Sequence, residues 1–139
     1  MVVSDDPQVR GIRGWLLVLC LLLLLWEPVS LGLVASSVVG SVAVRGFGLA
    51  LMLALRIGVA GLGIAAGLAL WNLRPSALVL TRAALVASAA TSVLTLTTPY
   101  FPNNRRPGTT APLVAGMVCY YGGWLLYLWR SRQVRSAFT

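Results

Sequence analysis

Four long apolar stretches constrain this 139-residue chain more than any other feature. They run over residues 15–35, 49–73, 78–98 and 111–129. A helix rises 1.5 Å per residue, so about 20 residues cross a 30 Å hydrocarbon core. With 58% hydrophobic and 10% charged residues, a water-soluble globule of this size would have to leave Leu, Val and Ala facing water. In lipid each backbone N–H and C=O must be paired within its own segment, so stretches of this length become helices. The pattern predicts an all-α integral membrane protein, residues 1–139 forming a single membrane domain, with four transmembrane helices in an up-down-up-down bundle.

The connections follow from composition. Residues 1–14 form a polar tail carrying Asp5, Asp6, Pro7, Arg10 and Arg13. A cleaved signal peptide ending near Ala35 is the rival reading of the first run, but Glu27 and Pro28 interrupt it before that point and further spans follow. The stretch SSVVGSVAVRGFG reads as a weakly polar linker to the second run, and Asn72, Arg74, Pro75 and Ser76 as a short turn. The loop 99–110 holds prolines, a glycine and asparagines, with Tyr100 and Phe101 suited to a membrane interface. In the second run Gly63 and Gly67 form a small-xxx-small pair that lets a neighbouring helix approach closely, although glycine is common in such helices. In the third, Ala83, Ala87, Thr91 and Thr95 make one stripe, with Ala84, Ser88 and Ser92 beside it, so this helix is expected to be the most enclosed. Its hydroxyls are expected to bond back to helix carbonyls or across to a neighbour.

The net charge of +8 comes from arginine alone. These arginines sit beside or inside apolar runs rather than in a basic stripe, which argues against nucleic acid and for lipid headgroups as their partners. An N-terminus on the cytoplasmic side places Arg10, Arg13, Arg74, Arg130, Arg132 and Arg135 inside, with Arg82 near enough to snorkel there, against Arg45, Arg105 and Arg106 outside. Four spans then return the C-terminus to the cytoplasm. The last run ends in an aromatic belt of Tyr120, Tyr121, Trp124, Tyr127 and Trp129 followed by Arg130, Arg132 and Arg135, and Trp124, Tyr127 and Trp129 with these arginines read as a lipid-facing basic and aromatic exit on the cytoplasmic side.

Histidine is absent, which removes bis-His haem ligation, Ser-His-Asp hydrolysis, the usual zinc sites and His-based proton relays. Cys20 and Cys119 each lie in an apolar run, where a thiol packs as a small hydrophobe, and no cofactor is expected. Glu27 is the one acidic residue within an apolar run, and an intramembrane carboxyl costs at least about 2 kcal/mol. It marks either a structural ion pair, a side chain snorkelling outward, or a proton- or cation-binding site of the kind used by small multidrug resistance transporters. Against transport, those proteins box the cation with aromatics on the second and third helices, and here the interiors of those spans have none. Counting depth from Trp15 places Glu27 roughly 18 Å in, and Arg56 lies at a similar height, so Glu27 and Arg56 are the expected intramembrane pair. Enzyme chemistry lacks a second tunable group near Glu27.

GIRGWLLVLC at the start, NLRPS at 72–76 and WLLYLWRSRQVRSAF at the end resemble an uncharacterised bacterial inner-membrane family, domain of unknown function 2569. The matching positions are Gly14, Trp15 and Leu16, then Trp124, Tyr127, Ser131, Arg132, Val134, Arg135 and Phe138. Arg13, Gln133 and Ala137 depart from that pattern. The resemblance implies four spans in a bacterial inner membrane and brings no known activity. The functional expectation is a non-enzymatic accessory, assembly or scaffold subunit of a larger membrane complex, partnered by the bilayer and by other membrane subunits. The alternative is a proton-coupled small-molecule or cation transporter using Glu27.

Overall fold

Apolar runs without an internal breaker should stay helical until a residue forces a turn, and in the computed structural model they do. The structure describes residues 12, 14–98 and 106–138. Asp5, Asp6, Pro7, Arg10 and Arg13 of the tail, and Tyr100, Phe101 and Arg105 of the loop, lie outside the described residues. The helices are α1 (Trp15–Leu21), a π-helical turn (Leu22–Trp26), α2 (Glu27–Arg45), α3 (Phe47–Trp71), α4 (Ala77–Thr97), α5 (Thr110–Arg130) and α6 (Arg132–Phe138). Four helical spans are long and apolar enough to cross a membrane, Trp15–Ser41, Phe47–Trp71, Ala77–Thr97 and Thr110–Arg130. The chain is an all-α, multi-pass membrane protein built as a four-helix bundle.

The first span differs from the sequence expectation. It does not end near Ala35. Helix continues through SSVVGSVAVR to Arg45, and Gly46 alone, at φ 78°, makes the turn into α3. The polarity that suggested a linker is hidden locally, because Ser36 and Ser37 donate to the carbonyls of Leu33 and Val34 at 2.9 and 2.8 Å. At 1.5 Å per residue the rod from α1 through α2 is roughly 45 Å long. Glu27 therefore sits near its middle rather than in an outer half.

The π turn has a cause one residue further on. Pro28 has no N–H, so the carbonyl four residues before it loses its helical donor and the ring crowds that carbonyl. Widening the preceding turn relieves both problems, and it rotates α2 relative to α1. Opposite this turn α3 presents Gly63 and Gly67. A Cβ on Gly67 would lie 2.7 Å from Leu24 Cγ, and one on Gly63 would lie 3.1 Å from Glu27 Cγ. The Cys20 thiol donates to the Gly67 carbonyl at 3.2 Å. Only glycine allows this approach, so the small-residue pair is the seat of the first helix.

The α3–α4 turn closes as a Schellman motif. Arg74 N–H bonds Ala69 O and Leu73 N–H bonds Leu70 O, each at 3.0 Å, with Leu73 at φ 49° where glycine is usual. Helix α4 is the most enclosed span, 39% buried against 11% for α5. Its buried stripe is Ala77, Thr81, Ala84, Leu85, Ser88, Thr91 and Ser92. The stripe is rotated from the expected one: Ala83 is exposed and Ala87 and Thr95 are half-buried. Thr81, Thr91 and Thr95 bond back to the carbonyls four residues earlier at 2.7, 2.9 and 2.7 Å.

Helices α1 to α4 pack in sequence order and α5 lies against α4. The circle is completed at one end, where Trp15 meets Trp124 edge-on with ring centroids 6.5 Å apart. That end also carries Arg74, Arg82 and Arg130 and is the basic end of the bundle. Helix α6 folds back onto it, with Val134 fully buried and Phe138 packed against the core of Leu16, Leu19, Leu70 and Leu128.

Candidate intramembrane polar site

Polar side chains from all four spans, with the π turn as hinge, gather inside the bundle. Glu27 is 5% exposed, and its Cγ rests on Gly63. Arg56 is half-buried on α3 and donates through one guanidinium nitrogen to Thr91 Oγ1 at 3.4 Å and to Ser92 Oγ at 3.3 Å. Ser88, one turn below Thr91, is fully buried and its hydroxyl has no hydrogen-bond partner. From α5, the Tyr121 hydroxyl is turned toward Ser92 and lies within electrostatic reach of both Glu27 and Arg56. Tyr120 is edge-on to Tyr121 at 5.1 Å and also lies within reach of Glu27.

The expected direct pair is not formed: among the described residues no ion pair joins Glu27 to Arg56, and the guanidinium turns to the α4 hydroxyls instead. The reason is depth. Glu27 packs at Gly63, seven residues along α3 from Arg56, a stagger of roughly 10 Å at helical rise. Sequence counting missed it because it ended the first helix ten residues too early. Hydroxyls on α4 replace the carboxylate as partners, which neutral donors and acceptors do at lower desolvation cost than a buried ion pair.

Sequence reading also missed Tyr120 and Tyr121 as neighbours of Glu27. Aromatic faces were sought on the second and third spans, and the bundle supplies them from the fourth. Between the π turn and α5 runs an apolar groove of about 490 Å³ lined by Leu22, Trp26, Leu113, Met117, Tyr120 and Tyr121. The Glu27 carboxyl lies within electrostatic reach of both tyrosines of this groove.

The residues expected at the lipid-facing basic and aromatic end divide in two. Trp129 is 70% exposed, and Arg130, Arg132 and Arg135 are exposed. Trp124 and Tyr127 are half-buried and stacked edge-on at 5.9 Å, Trp124 closing against Trp15. Trp124 thereby joins the first and last spans, with Tyr127 against it. Arg135 also donates to the Trp129 carbonyl at 3.3 Å, tying α6 to the end of α5. No family model matches the chain, and neither a curated protein nor a solved structure matches it.

Proposed function

We propose that this protein is a non-enzymatic accessory, assembly or scaffold subunit of a larger membrane complex, set in a bacterial inner membrane with both termini cytoplasmic. The observation that carries the reading is the contrast between a few polar side chains sealed inside the bundle and open apolar grooves on its surface. Glu27, Thr81, Ser88, Thr91 and Ser92 are all less than a tenth exposed, while the π turn and α5 present Leu22, Trp26, Leu113 and Met117 along an apolar groove. Small membrane helices associate through shape and close packing, and such a groove receives the side chains of a partner helix. The family resemblance of the two chain ends points to the same location and topology. A photo-crosslinking residue at Trp26 or Leu113 in native membranes tests it: the expected result is one discrete protein adduct, whereas adducts to lipid alone at both positions would refute it.

A second reading is supported by the carboxyl within electrostatic reach of two tyrosines. The Glu27 carboxylate takes no hydrogen bond among the described residues, its backbone carbonyl alone accepting from Ser30, and Trp26, Tyr120 and Tyr121 line the groove that an organic cation would enter. Reconstituted vesicles with an imposed proton gradient distinguish the two. Uptake of a lipophilic cation that disappears with Glu27→Gln establishes transport, and no uptake leaves the subunit reading in place.

A further inference from the structure

The polar site and its groove leave a second cation unexplained. Arg82 sits on α4 about one and a half turns from its start at Ala77 and is half-buried. Its Nε is buried with no hydrogen-bond partner, and no described residue accepts from its guanidinium. A guanidinium carries five N–H donors, and leaving them empty at the edge of a hydrocarbon layer is costly. Simple snorkelling would place them all in water, yet Nε is sealed against the helices.

Arg82 also forms the polar lip of a groove of about 510 Å³ between α4 and α5, lined otherwise by Val86, Gly122, Leu125, Leu126 and Trp129. The two walls have helical spacing, Arg82 and Val86 on α4 and Gly122, Leu125, Leu126 and Trp129 on α5. The helices are antiparallel, so Trp129 marks the basic end and Val86 with Gly122 lies toward the middle of the bundle. Gly122 widens the groove: a Cβ built there meets nothing within 4 Å. Arg130 follows Trp129 at the mouth and is exposed.

We infer that this groove is a binding site for one anionic phospholipid, its phosphate held by Arg82 and one acyl chain lying along Val86, Gly122 and Leu126. Arginine matches a phosphate in two-pronged geometry, and the phosphate supplies the acceptors that the protein does not. Trp129 sets the headgroup level, as exposed tryptophans do at an interface. Basic pockets between spans hold anionic headgroups by the same chemistry. The charge complementarity selects an anionic lipid over a zwitterionic one, and the apolar trough selects a lipid over a free phosphate.

Native mass spectrometry of the full chain, released from vesicles of equal phosphatidylglycerol and phosphatidylcholine, tests the assignment. The wild type should retain one phosphatidylglycerol in preference to phosphatidylcholine. Arg82→Gln should reduce that retention by about tenfold, Arg82→Lys by less, and Arg74→Gln, which removes an exposed charge from the same end, should leave it unchanged. Gly122→Leu fills the trough without touching the cation and should also displace the lipid, so the test survives if Arg82→Gln fails to fold. Equal retention by Arg82→Gln and wild type overturns the proposal. So does unaltered retention by Gly122→Leu together with displacement by inorganic phosphate, which would make the site a simple anion pocket.

Discussion

Arg56 shows how a charged residue is tolerated inside this bundle. Its bonds to Thr91 and Ser92 satisfy part of the guanidinium without a second buried charge. Glu27 lies two helical turns away along α3, at Gly63. Groups about 10 Å apart without a shared hydrogen bond act almost independently, their effects adding to within about 0.5 kcal/mol. Glu27→Gln and Arg56→Gln should therefore produce melting-temperature changes in detergent that sum in the double variant. Recovery of stability in the double variant would show that the two form an ion pair after all. Leu73 is a second residue whose backbone decides the outcome. At φ 49° a side chain costs on the order of 1 kcal/mol that glycine avoids, partly offset by the freedom glycine gains when unfolded. Leu73→Gly should leave the melting temperature unchanged or raise it by a few degrees, and a clear fall would mean that the Leu73 side chain packs more than its half-buried position indicates.

At the scale of elements, the same residue type has opposite meanings along α3. Gly67 receives Leu24 and the Cys20 carbonyl of the first helix, whereas a Cβ on Gly61 meets nothing within 4 Å. Alanine is the better helix former by up to about 1 kcal/mol. Gly61→Ala should accordingly be neutral or stabilising in a thermal melt, and Gly67→Ala should lower the melting temperature by several degrees because Leu24 Cγ stands 2.7 Å from the new carbon. Equal effects would mean that the α1–α3 approach is looser than the structure has it. Much of this layout was legible in the sequence. The second and third spans begin and end within about two residues of their apolar runs, because Asn72, Arg74, Pro75 and Ser76 interrupt the pattern where the turn occurs. The end of the first span was not legible, since Ser36 and Ser37 look like linker residues until their hydroxyls are seen bonded to their own helix. The phase of the α4 stripe was equally hidden: with alanines and hydroxyl residues on adjacent faces, size alone does not say which face is inward. The meeting of Glu27 with Tyr120 and Tyr121 depends on a π turn and on the arc of four helices, neither of which single-segment periodicity encodes.

For the whole molecule the decisive property is charge placed by helix direction. Alternation of four spans brings the start of α1, the α3–α4 turn and the end of α5 to one end, where Arg74, Arg82, Arg130, Arg132 and Arg135 gather. The opposite end, formed by the Gly46 turn and the start of α5, carries Arg45 and Arg106 in its connections. Arginine in short flanks is retained on the cytoplasmic side, and each such charge near an anionic leaflet is worth about 1 kcal/mol. Among the described arginines at the two ends the count is five against two, which predicts that the basic end faces inward. Helix α6 reinforces the arrangement, because Val134 and Phe138 anchor in the core while Arg132 and Arg135 stay exposed beside it. Reporter fusions after Gly46 should accordingly read as external, and those after Pro75 and Thr139 as cytoplasmic. Counting Arg10 and Arg13 with the basic end and Arg105 with the other, replacing Arg130, Arg132 and Arg135 together by Gln cuts the asymmetry from seven against three to four against three, and should yield a mixed population in which a measurable fraction of the Thr139 reporter becomes external. An external reporter at Thr139 in the unaltered chain would break the inside assignment of the basic end, and an unmixed signal in the triple variant would show that something other than these arginines sets the orientation.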